Sequence, residues 1–71
     1  MISWEPQVHT VGDREGVFTG NALRFATKKE SDAYVLDLAM RWTAVSDVRS
    51  VESTDTVTHA IVDSTLQRLA D

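Results

Sequence analysis

The chain contains no cysteine. That absence removes a disulfide framework, a thiolate metal site and a thiol nucleophile together. Glycine is nearly as scarce, occurring only at Gly12, Gly16 and Gly20. Spaced four apart within an expected hairpin and not ahead of a helix, these three do not form a phosphate loop. Nothing approaches the ~18 consecutive apolar residues needed to span a bilayer. The opening residues (Ile2, Ser3, Trp4, Glu5, Pro6) lack a basic region followed by an apolar run, so no signal peptide is expected. The combined expectation is one cytoplasmic domain over residues 1–71, small enough for its stability to be marginal.

Basic charge is also in short supply. Seven Lys and Arg stand against eleven Asp and Glu, a net charge of −4. Up to Trp42 the signs nearly balance. Beyond it, Asp47, Glu52, Asp55, Asp63 and Asp71 face only Arg49 and Arg68, so the C-terminal half is the acidic one. The one adjacent basic pair, Lys28-Lys29, is not the stripe that a nucleic-acid binder carries. An apolar fraction of 42% is nonetheless ordinary for a folded chain and argues against disorder.

What is present is organised around residues 27–42. Thr27-Lys28-Lys29-Glu30 has the form of a capping box, in which Thr27 accepts from the Glu30 N–H and Glu30 reaches back to the Thr27 N–H. Good helix formers follow without Gly or Pro. The apolar arc of this helix is wide, taking in Ala33, Val35, Leu36, Leu38, Ala39, Met40 and Trp42, with Tyr34 at its border. A helix resting on one sheet buries a narrower stripe. Either the sheet curls around it or part of its flank is meant for another molecule. Asp37 and Arg41 are spaced for an i, i+4 ion pair.

Strands are expected on both sides. Residues 4–11 alternate at period two, with Ile2, Trp4 and Val8 on one face and Pro6 favouring an edge or a strand start. Residues 12–16 read as a hairpin loop. In residues 17–26, Phe18 is out of parity with Leu23 and Phe25. A one-residue bulge at Gly20-Asn21 would point all three at the helix, and is preferred to a turn there that splits the stretch. Residues 43–52 are rich in β-branched side chains, and parity suggests a second bulge near Ser46-Asp47. Residues 56–62 form a further strand. Residues 65–70 either return as a hairpin strand through Asp63-Ser64 or coil as a helix, with the hairpin preferred. The expected fold is α+β, a small antiparallel sheet with one central helix in the order β-β-α-β-β(-β). Phe25 and Leu36 are expected at full burial between helix and sheet.

The run from Gly20 to Thr27 (GNALRFAT) into Lys28-Lys29-Glu30, followed by Leu38 to Val45 (LAMRWTAV), resembles a group of short bacterial and phage proteins. The likeness extends through residues 48–58. It implies a fold that ends in a strand, an Asp-Gly turn and a strand, and it implies no activity. Ser64 stands where that glycine would be.

The residues hold no catalytic signature. His9 and His59 are fifty apart, and without an i, i+4 spacing they make a weak metal pair even beside Glu52 or Asp63. No Ser sits on a nucleophile elbow, and no carboxylate pair has opposed environments. A chain this short also has little room for a concave site of ~300 Å³ or more. The expectation is therefore a protein that is not an enzyme and uses no cofactor or metal. Two classes of function remain. One is binding to a larger protein partner, as by a phage-type inhibitor of host machinery such as an anti-CRISPR protein, with Tyr34, Arg41 and Trp42 as the contact patch. Self-association into a homodimer is a variant of it. The other is a nucleic-acid-binding accessory using Arg14, Arg24, Lys28 and Lys29.

Overall fold

A computed structural model describes residues 2–69. Its elements are β1 (Ser3–Thr10), β2 (Thr19–Gly20), α1 (Lys28–Arg41), β3 (Val45–Ser53), β4 (His59–Val62) and β5 (Thr65–Arg68). This is an α+β fold in the order that the sequence led us to expect. The last strand is a hairpin return, not a helix. Residue 70, expected at its end, lies outside the described residues.

The strands form a sheet in the order β2-β1-β3 and a two-stranded sheet β4-β5, each antiparallel. Phe25 stitches the two together. It exchanges backbone bonds with Trp4 (2.8 and 3.0 Å) and bridges to His59 on its other side. The helix lies over β1 and β3, on the face that Pro6 and Val8 share.

The first expected bulge is corrected. β2 stops at Gly20, and Phe25 is an isolated bridge, closer to the split stretch than to one long bulged strand. Between the pairs Gln7↔Gly20 and Trp4↔Phe25, residues 21–24 stand against only two residues of β1. An excess of two does not reset parity. Phe18 therefore falls on the face away from the helix, beside His9 and Arg49, while Phe25 falls on the helix face. The physical reason is Pro6. Its position on β1 is turned toward this neighbour, as Trp4 is, but it has no N–H to give a ladder. The chain loops out where no donor meets it.

The second bulge is found. Thr10 pairs with Val45 and His9 with Asp47, leaving Ser46 as the extra residue. Val45 and Val48 thereby share the helix face, and Val48 pairs with Val8 beneath Val35.

The helix begins as the sequence indicates, with one change. Thr27 caps it and accepts from the Glu30 N–H at 3.2 Å. Glu30 does not close the box on the Thr27 N–H. Its Oε1 takes the Thr27 hydroxyl (2.9 Å), and its Oε2 takes the Ile61 N–H on β4 (3.0 Å). The cap is thus also a tie between helix and hairpin.

Among the described residues the buried apolar side chains are few: Pro6, Val8, Phe25 and Val35, with Phe25 fully enclosed. Leu36, expected at full burial, is 55% exposed. Ser31 and Val35 are the buried helical residues, with Leu38 half-buried. Leu36 follows Val35 by ~100° around the axis, which turns it from the sheet onto the flank. Ser31 is kept in the core by the Ser50 hydroxyl, 2.7 Å from its Oγ and 2.6 Å from Asp32 Oδ1.

Candidate partner-binding cleft

Where the helix ends above β1 and β2, the two layers part. A cleft of about 270 Å³ opens there, lined chiefly by Pro6, Val8, Thr19, Gly20, Tyr34, Leu38 and Trp42. Trp42 reaches it because it caps the helix in extended conformation (φ −121°, ψ 100°), its N–H still bonded to Leu38 O at 2.9 Å. Trp42 is 46% exposed. Tyr34 forms the inner wall. Its ring packs on Phe25 with centroids 5.5 Å apart, and its hydroxyl accepts from Asn21 Nδ2 at 3.3 Å. One end of Tyr34 is therefore core and the other is cleft.

Arg41 is placed differently. It is exposed on the other flank of the helix, ion-paired to Asp37 at 3.0 Å. With Tyr34, Ile61 and Leu66 it lines a second cleft of about 300 Å³ between α1 and the β4–β5 hairpin. Of the three residues expected to act as one patch, Tyr34 belongs to both clefts, while Trp42 lines the first and Arg41 the second.

The sequence reading missed the polar rim of the first cleft, made by Thr10, Asp13 and Asn21. The Asp13 carboxylate accepts the Thr10 hydroxyl (2.7 Å) and the Thr10 N–H (3.1 Å). These bonds, the hydroxyl first, hold its pKa below the usual carboxylate value, with a smaller pull from nearby His9. The cleft mouth thus keeps a fixed negative charge. The signal was present in Thr10 and Asp13 flanking Gly12, a spacing suited to side-chain-to-backbone turn bonds. Asp32 is likewise held low, by its bonds to Lys28 and then to Ser50.

The basic residues are mostly committed elsewhere. Arg24, mostly buried, pairs with Glu5 at 2.9 Å and Asp55 at 3.1 Å, and donates to the carbonyls of Leu23 and Asn21. Glu5 reaches Arg24 by lying across Gly20, where any Cβ would collide with the carboxylate. Lys28 is paired with Asp32 at 2.8 Å. Arg14 and Lys29 are exposed.

The two histidines do not meet. His9 donates a ring N–H toward Val17 O at 2.6 Å, whereas His59 sits beside Phe25, which pairs with Trp4 at the other end of β1. Among the described residues no group of three or more His, Cys, Asp and Glu is close enough to hold a metal. No helix among them is long and apolar enough to cross a membrane. No family model, curated protein or solved structure matches the chain.

Proposed function

We propose that this chain is a non-catalytic binding protein that engages a larger protein partner in the cytoplasm. The observation that carries the reading is the exposed Trp42 at the mouth of an apolar cleft whose inner wall is Tyr34. Tyrosine and tryptophan that present an apolar body with a polar tip are the residues that most often dominate binding energy. A fixed carboxylate at the rim, Asp13, favours a partner segment with an apolar anchor beside a basic residue. Small size and net negative charge support an inhibitor that occludes host machinery, an anti-CRISPR protein being one such form. The nucleic-acid alternative is weakened because Arg24 and Lys28 are neutralised within the chain.

Tagged wild type and the Trp42→Ala and Arg41→Ala variants test this in pull-downs from bacterial lysate, after circular dichroism confirms each fold. A partner retained by wild type and lost by Trp42→Ala is the expected result. Equal retention by a folded Trp42→Ala overturns the cleft. Binding to heparin that falls steeply with salt, in place of protein capture, would favour the nucleic-acid reading.

A further inference from the structure

β1 has a neighbour on each side, and its bonding fixes what β3 leaves unmade. Trp4 spends its N–H and C=O on Phe25, so alternate residues Ser3, Glu5, Gln7 and His9 turn theirs to β3. Their partners on β3 answer them. Val48, Ser50 and Glu52 therefore direct their backbone groups outward, on an edge that no described strand covers. The Val48 N–H is met only locally, by the Asp47 carboxylate at 2.8 Å.

Above this edge lies the apolar flank of the helix. Leu36 shares a cleft with Val48, Arg49 and Ser50. Met40, one turn on, is 85% exposed. An open edge beside an unburied apolar stripe invites another strand and another helix.

We propose that the occupant is a second copy of this chain, paired antiparallel along β3 about a two-fold axis through Val48. Charge selects both the occupant and the register. Pairing Val48 with itself sets Asp47 opposite the second copy's Arg49, and Arg49 opposite its Asp47, on the face away from the helix. Moving the axis to Arg49 sets like charges against each other, and moving it to Ser50 leaves Arg49 opposite Val51. In the single chain Arg49 leans toward β1, its Nε donating to Gln7 Oε1 at 2.7 Å and its guanidinium 4.1 Å over the Phe18 ring, so the pairing turns it outward to the second copy's Asp47. On the helix side the same axis brings Leu36 against Leu36. The Asp47 carboxylate then exchanges the Val48 N–H for a guanidinium, and that N–H gains a carbonyl of the second copy. The Trp42 cleft lies beyond the helix and stays open in each copy.

Sedimentation equilibrium of the full chain from micromolar to millimolar concentration tests this without any other protein. Its failure therefore leaves the cleft reading standing. The mass should rise from 7.9 kDa toward twice that value. Asp47→Arg and Arg49→Asp should each weaken the dimer at least about tenfold by opposing like charges. An equimolar mixture of the two variants should dimerise again, because each then supplies the charge the other lacks. Leu36→Glu, at an exposed helix position that makes neither the Gln7 nor the Phe18 contact of Arg49, should weaken it too, and it reads the surface even if Arg49→Asp does not fold. A wild-type mass of 7.9 kDa at every concentration overturns the proposal. So does a dimer indifferent to both Asp47→Arg and Leu36→Glu, and so do two folded charge variants that stay monomeric when mixed.

Discussion

Both residues of the turn between β4 and β5 have positive φ, 51° at Asp63 and 63° at Ser64. Two consecutive left-handed residues are what a two-residue hairpin needs if its twist is to match the strands. Asp tolerates that region, whereas a serine there costs about 1–2 kcal/mol through its Cβ. This end of the chain forms the hairpin and not a helix, and the missing glycine does not prevent the turn. Ser64→Gly relieves the contact and gives back part of the gain as chain entropy. The expected net effect is a fold more stable by about 0.5–1 kcal/mol, read as a higher urea midpoint with an unchanged slope. A lowered midpoint would mean that the hairpin does not hold this turn.

At the scale of elements, the start of the helix and the second sheet are coupled through one carboxylate. Thr27 satisfies the Glu30 N–H, and Glu30 satisfies both the Thr27 hydroxyl and the Ile61 N–H. Thr27→Ala should therefore cost ~1 kcal/mol, the usual worth of such a cap, and should speed amide exchange at Glu30. Glu30→Ala should instead release the Ile61 amide, thirty-one residues away along the chain. Exchange at Ile61 that is the same in wild type and Glu30→Ala would show that the hairpin is held by its other contacts. The Asp37–Arg41 pair, by contrast, is exposed at both ends and adds only ~0.3–0.5 kcal/mol to the helix.

For the molecule as a whole, the small core makes its members unequal. Phe25 is fully buried and also carries the backbone stitch between the sheets. Phe25→Ala should cost about 3–5 kcal/mol, which in a chain this short unfolds much of the population. Leu36→Ala should change stability by no more than about 0.5 kcal/mol in the monomer, as for any exposed position. Thermal melts at a concentration below self-association separate the two. Equal losses would place Leu36 back between helix and sheet.

The sequence by itself determined the helix and its cap and the order of the elements around it, suggested a bulge near Ser46-Asp47, and favoured the closing hairpin while leaving a helix open there. These rest on local physics: periodicity over a few residues, a hydroxyl at a helix start, parity along one strand. It also brought out Tyr34 and Trp42 as aromatics in excess of what one sheet can bury. Only the tertiary structure decided how that excess is divided, with Trp42 lining a cleft, Arg41 on the opposite flank, Leu36 beside the β3 edge and Met40 exposed. The helix direction over the sheet sets which ~100° step is inward, and no single segment encodes it. The same holds for Phe18. Its face depends on how many residues the chain loops out opposite Pro6, and that number follows from a donor absent on a different strand.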